Sequence, residues 1–232
     1  MSPSWRDDLR VSVCPRRLVL ARYRRALRRR LIESAVVPIE DEPAAELARL
    51  AGKARVTVVL SNHFVRYALL PPTRALRSRD EWSAYARHTF ASTFGEAARS
   101  WEVRLCSTGF RHPRLACAVE SSLLSSLRAV SGVVSIQPYL MSAFNERRGR
   151  LPREAAWFVL QEEGRLTFAL IAGGAWRLVR SRQANGDWQS LLPELLDREI
   201  AASGEPGCDR VFLCAESEAP ASLGGYRVTD MA

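Results

Sequence analysis

Lysine is almost missing from this chain: Lys53 is the only one among 34 basic residues, against 25 acidic residues, for a formal charge of +9 over 232 residues. A charge carried almost wholly by arginine reflects GC-rich coding as readily as guanidinium chemistry, so it does not by itself point to phosphate. Long apolar runs are also lacking. No window approaches the roughly 20 uninterrupted apolar residues of a spanning helix, and the start, "MSPSWRDDLR", has no apolar signal-peptide core, so the expectation is a cytoplasmic chain. The five cysteines form no CxxC pair, and an odd number reads as free, mostly buried thiols. There is no GxGxxG, GxxxxGK or GxSxG motif and no HxxxH spacing. What remains is a 47% apolar composition that suits a folded core.

Residues 9–37 alternate apolar and polar as strands do. In "LRVSVCPRRLVLARYRR", Val11, Val13, Leu18 and Leu20 flank Cys14-Pro15-Arg16-Arg17, the pattern of a hairpin, and "RRRLIESAVVPI" supplies a third strand. "PAAELARLAG" predicts a short helix, with Leu47 and Leu50 inward and Gly52 at its stop. In "ARVTVVLSNHFVRYALLPP", Val56, Val58 and Leu60 share one face of a strand, and Val65, Tyr67 and Leu69 one face of the next. Ser61-Asn62-His63 between them is turn chemistry, a turn or corner that folds the second strand back on the first. A base also needs a nucleophile and an orienting group; nothing in the sequence offers them to His63, which is therefore read as part of that joint.

"SRDEWSAYARHTFASTFG" carries the clearest helix signal. Ser78 and Glu81 make an S-x-x-E capping box, Trp82, Tyr85, Ala86, Phe90 and Phe94 form an apolar stripe, and Gly95 ends it. His88 lies off the stripe and reads as solvated. "WEVRLCS" and "RLACAV" predict strands, "SSLLSSLRAVSG" a helix, "VVSIQP" a strand and "YLMSAFNE" a short helix. The charged "NERRGRLPRE" marks a boundary, after which the hairpin logic restarts: "AWFVLQ" turns at Glu162-Glu163-Gly164 into "RLTFALIA", which turns at Gly173-Gly174 into "AWRLVRSR". A helix follows with Trp188, Leu191, Leu192, Leu195, Leu196 and Ile200 on one face, Pro193 being tolerable in its first turns. "RVFLCAE" and "YRVTD" close the chain as strands. The second half thus repeats the first in structure, not in sequence.

Two halves that each open on a three-stranded meander resemble the actin-like, ribonuclease-H-like fold. Within that group "VVLSNHFVRYALLPP" (residues 58–72), ending in Leu-Pro ahead of a helix, resembles the cytoplasmic platform proteins of type IV pili and type II secretion, the PilM and GspL cytoplasmic-domain family. The resemblance implies an α/β fold with mixed sheets and two domains. The first spans residues 1–145 with an inserted small α+β subdomain over about 78–136, and the second spans 146–232. It further implies a scaffold peripheral to the inner membrane, holding the cytoplasmic tail of a bitopic assembly protein and serving a secretion or pilus motor ATPase. In that family a partner peptide docks beside the inserted subdomain, which nominates Arg66, Trp82 and Tyr85; core packing is the competing reading of the two aromatics.

The departures from the family pattern bear on chemistry. Actin-like ATPases place a carboxylate and glycines at the first hairpin of each half, where backbone N–H groups and Mg²⁺ meet phosphates. Here the first hairpin is Cys14-Pro15-Arg16-Arg17, while Asp7 and Asp8 precede the strand. Glu162-Glu163-Gly164 is a weak echo that an exposed turn would match equally. After "VFLCA" stands Glu216-Ser217 where a nucleotide-binding member shows a glycine pair, and Gly224-Gly225 comes too late. The expectation is a chain without catalysis or cofactor; an ATP-dependent reading requires Glu162 or Glu163 to support Mg²⁺. Cys106, His112 and Cys117 fit no common zinc spacing, and no metal is assigned.

Arg22, Arg24, Arg25, Arg28, Arg29 and Arg30 make a basic run. A solvated edge that discourages strand aggregation explains it. Anionic lipid would gain about 1 kcal/mol per basic residue near its surface. Nucleic acid, the alternative function, would need aromatic platforms between the arginines, and only Tyr23 qualifies.

Overall fold

The computed structural model describes residues 8–24, 30–106, 112–205, 207–216 and 219–231. Strand β1 (Asp8–Val13) pairs antiparallel with β2 (Arg17–Arg24), and β2 with β3 (Arg30–Pro38). Helix α1 (Pro43–Ala51) returns the chain to β4 (Arg55–Leu60), parallel to β1, and a later strand, β8 (Val133–Pro138), pairs parallel with β4. The sheet order is β3-β2-β1-β4-β8. The period of two decides which side chains are inside: Leu9, Val11, Val13, Leu18, Leu20, Val56, Val58 and Leu60 are all buried. Leu47 of α1 and Leu124 and Leu127 of α3 (Ser121–Ala129), which packs on α1, join that core. Pro43 opens α1, where its missing N–H costs nothing. Gly52 closes it at φ +55°, a backbone state glycine takes without penalty, and exposed Lys53 follows in the turn.

The later half repeats the plan. Strands β9 (Ala156–Glu162), β10 (Arg165–Ala172) and β11 (Ala175–Gln183) form a meander, and α5 (Trp188–Ser203) leads to β12 (Arg210–Cys214), parallel to β9. Strand β14 (Tyr226–Asp230) extends the sheet, with the two-residue β13 (Ser222–Leu223) on its far side, giving β11-β10-β9-β12-β14-β13. Third, second, first, fourth is thus the order of both sheets. Asp187 caps α5 by accepting from the backbone N–H of Gln189 at 3.0 Å, and Gly204 ends it in the left-handed conformation. Near its end, buried Glu199 accepts from Arg180 at 3.0 Å and Arg182 at 2.5 Å, clamping the helix to β11.

Between β4 and β8 lie β5 (Arg66–Leu70), α2 (Arg79–Phe94), a 3-10 segment (Gly95–Ser100), β6 (Trp101–Leu105) and β7 (Arg114–Glu120), with sheet order β5-β7-β6; helix α4 (Tyr139–Arg147) follows β8. The capping box of α2 forms as read: Glu81 N–H donates to the Ser78 hydroxyl at 3.1 Å, and Ser78 N–H donates to the Glu81 carboxylate at 2.9 Å. Contacts divide the chain into two units. One holds the described residues up to Val65 with Val119–Ser142; the other holds Arg66–Ala118 and the described residues from Ala143 onward.

Two expectations are corrected. β5 does not fold back on β4: it pairs antiparallel with β7, in another sheet. The reason lies in the joint. Ser61 N–H donates to Val13 O at 3.0 Å, His63 N–H to the Ser61 hydroxyl at 3.2 Å, and Leu140 N–H to the Asn62 side-chain oxygen at 3.4 Å. The polar triplet is therefore a corner tied to β1 and α4. Phe94, read as part of the α2 stripe, is 41% exposed; it lies against Trp101 at the rim, with ring centroids 5.2 Å apart.

Candidate partner-binding site

The register of β5 on β7 sets the geometry around Arg66. Arg66, Ala68 and Leu70 stand opposite Ala118, Ala116 and Arg114, and alternation puts all six on one face of the small sheet. Leu70, Ala116 and Ala118 of that face are buried against Trp82, Ala86 and Phe90 of α2, with Ala68 packed beside them. Burying Leu70 and Phe90 contributes about 2 kcal/mol each, and each alanine methyl less than half of that. Arg66 and Arg114 are left at opposite ends of an apolar strip.

Trp82 belongs to the core of this layer. It is 3% exposed, and the Arg114 guanidinium covers its ring at 4.3 Å from the centroid. Its indole N–H finds no hydrogen-bond partner among the described residues. Tyr85, half-buried, meets Trp82 edge-on with centroids 6.3 Å apart. Arg66 is four residues along β5 from the Leu70–Arg114 pair, or ~13 Å at 3.3 Å per residue. The structure thus brings Trp82 and Tyr85 together and sets Arg66 apart.

The neighbour of Arg66 is Arg165. Burial first, then the charge of Arg66, holds the Arg165 guanidinium below the usual arginine range, and Glu162 opposes that shift. Arg165 donates to the Ser181 hydroxyl at 3.1 Å, whereas its Nε has no partner among the described residues. Two guanidiniums, Arg66 and Arg165, thus lie close to each other with the Glu162 carboxylate nearby. Sequence reading overlooked both Arg165 and Arg114. The alternation of "RLACAV" was signal enough for Arg114, but nothing local in the sequence predicts that β10 lies near β5.

The remaining candidates take their places. Glu162 ends β9 directly opposite Arg165 and is buried, so the β9–β10 turn proper is Glu163-Gly164, with Gly164 at φ +69°. This corrects the reading of Glu162 as a turn residue. In the β1–β2 turn, Pro15 and Arg16 are exposed, and Cys14 N–H donates to Arg17 O at 3.0 Å. Burial pushes the Cys117 thiol up to about 12, with neighbouring Cys106 adding to the shift, while His112 is exposed. Such protonated thiols are poor metal ligands, and among the described residues no group of three His, Cys, Asp or Glu side chains is placed to hold a metal ion. Of the basic run, Arg22 pairs with Glu33 at 3.4 Å, and Arg24 stands opposite Arg30. Arg25, Arg28 and Arg29 lie outside the described residues.

Two sheets wound in the same order, a helical crossover in each, and a small sheet-and-helix insertion in the first half define an α/β fold of the actin-like class. No family model and no curated protein matches the sequence. Solved structures do match. The cytoplasmic domain of EpsL, an inner-membrane component of the Vibrio cholerae type II secretion system, superposes with a TM-score of 0.65 at 13% identity, covering 97% of this chain and 90% of that one. A Bacteroides thetaiotaomicron protein of actin-like ATPase fold and unknown function gives 0.62 at 10% identity, covering 93% and 84%. A PilM–PilN type IV pilus biogenesis complex gives 0.60 at 15% identity, covering 90% and 81%. At these identities the likeness is one of fold.

Proposed function

We propose that this protein is a non-catalytic scaffold on the cytoplasmic side of a type II secretion or type IV pilus assembly platform, where it holds the cytoplasmic tail of a membrane-spanning partner. The observation that carries this reading is the near end-to-end likeness to the EpsL cytoplasmic domain, with 97% and 90% of the two chains covered. The hairpin chemistry supports it. The first hairpin has neither carboxylate nor glycine, and the second holds Glu162 buried in its strand opposite Arg165, leaving Glu163 and the single Gly164 in the turn. No helix among the described residues is long and apolar enough to cross a membrane, so attachment through a partner is part of the proposal.

The tail docks at the inserted layer, with Arg66 and Arg165 as the anchor for an acidic group and Tyr85 contributing from α2 above the buried Trp82. The test is affinity purification of the tagged full chain from its own host, with membrane-assembly components identified by mass. Recovery of a bitopic assembly protein, lost in Arg66→Glu, is the expected result. Preparations without any such component would overturn the scaffold reading, and unchanged capture by Arg66→Glu would remove the anchor.

A further inference from the structure

The turn after α1 and the loop before β8 border a cavity of about 440 Å³, within the roughly 300–1,000 Å³ of small-molecule sites. Gly52, Lys53, Arg55, Ser131, Gly132 and Val134 line it, all exposed and all in the first unit. It lies at the amino ends of β4 and β8, whereas the Ser61–His63 corner follows the carboxyl end of β4. Backbone hydrogen bonds fix both segments: Val56 N–H donates to Gly132 O at 2.8 Å, Ala54 N–H to Ala51 O at 3.0 Å and Val133 N–H to Val130 O at 3.2 Å. The N–H groups of Lys53, Ser131 and Gly132 have no partner among the described residues.

Charge gives the cavity its chemistry. Neither Lys53 nor Arg55 is ion-paired among the described residues, and no carboxylate lines the cavity. Asp8, level with Arg55 on β1, makes no ion pair with it. Basic residues often serve helix ends, and α1 and α3 both end here, but Arg49 and Arg128 already occupy their last turns. Each helix end carries only about half a negative charge, so Lys53 and Arg55 are in excess. The repeat supplies an internal comparison. In the second half, the cavity ahead of β12 and β14 is lined by Asp197 and Asp209, and both are engaged. Asp197 accepts from the Tyr226 hydroxyl at 2.6 Å, and Asp209 pairs with Arg227 at 2.8 Å.

The wall of the cavity adds an apolar element. Val56 and Thr57 of β4 stand opposite Val133 and Ser135 of β8, so Val134 is an extra residue, a bulge of a kind rare between parallel strands. Bulges re-aim side chains. Val134 is left 52% exposed beside the two cations.

We propose that this cavity binds a small organic anion, its phosphate or carboxylate held by Lys53 and Arg55 and its apolar body resting on Val134. A guanidinium takes two anionic oxygens at once, and an ammonium adds a point charge. With no carboxylate in the lining to share a metal ion, the ligand is metal-free, which sets it apart from a magnesium-bound nucleotide.

Isothermal titration calorimetry of the full chain with phenyl phosphate, benzoate and inorganic phosphate tests this. Phenyl phosphate or benzoate is expected to bind at one site per chain, and the tighter of the two identifies the head group. Lys53→Gln and Arg55→Gln should each weaken that probe about tenfold, the worth of a charge-assisted hydrogen bond, with the far-ultraviolet circular dichroism unchanged. Val134→Ser should weaken it as well. Absence of binding by both organic probes overturns the proposal, and so does binding indifferent to both charge changes. Inorganic phosphate binding as tightly as phenyl phosphate overturns the apolar contact. The outcome is independent of tail capture, since Arg66 belongs to the second unit.

Discussion

At the scale of single residues, Trp82 shows how a side chain can look functional and be structural. An aromatic beside an inserted subdomain suggests a docking platform, yet its ring is enclosed between the small apolar layer and the Arg114 guanidinium. Trp82→Ala is expected to cost about 3–5 kcal/mol in urea unfolding, as truncation of a buried tryptophan does. Trp82→Phe should cost much less, because the indole N–H it removes has no partner to lose among the described residues. His63 teaches the same lesson. Its triplet is used for backbone hydrogen bonding, as the local chemistry of Ser and Asn predicts, and that much was legible in the sequence. That Arg66 and Trp82 sit apart was not legible, because it depends on the register between β5 and a strand more than forty residues later.

Elements were read best where their ends carry chemistry. Ser78 with Glu81, Gly52 and Gly95 all mark helix boundaries as expected, and the Gly173-Gly174 turn joins β10 to β11. Ser78→Ala should cost about 1 kcal/mol, the usual value of an N-cap. The backbone N–H groups of Ser78 and Arg77 hold the Glu81 carboxyl below its ordinary value. A folded-state value below the unfolded one gives stability that is complete above the ordinary glutamate range and lost as the pH falls through the lowered value. The stability gap between wild type and Glu81→Gln should therefore be open at neutral pH and close in acid, which unfolding curves across pH would show. Gly132 answers a different constraint, invisible in sequence. It sits at φ +88°, and an added Cβ would lie 2.4 Å from Ala54 O, where the loop before β8 docks on β4. Gly132→Ala is expected to cost more than the ~1–3 kcal/mol of backbone strain alone, since the chain must also move away from that oxygen. Thermal unfolding would register it.

At the scale of the whole molecule, the repeated sheet order was legible because each half restarts its own meander after a charged boundary. The allocation of β5 and β7 to a third sheet was less so, since alternation alone does not say which strand a strand pairs with. The hairpin chemistry leads to a prediction at this scale. Thermal unfolding with and without millimolar MgATP should coincide, whereas a site filled at a hundred times its dissociation constant would add about 2.7 kcal/mol. A clear shift would return Glu163 and Gly164 to consideration as a phosphate turn. The turn after α1 has a more practical consequence. Because Lys53 is the only lysine and is exposed there, the chain offers chemists a single ε-amine, fixed on the first unit. An amine-reactive dye would mark that unit at one side-chain position without any engineering, and a crosslink mapped to Lys53 would report on what approaches the turn between α1 and β4.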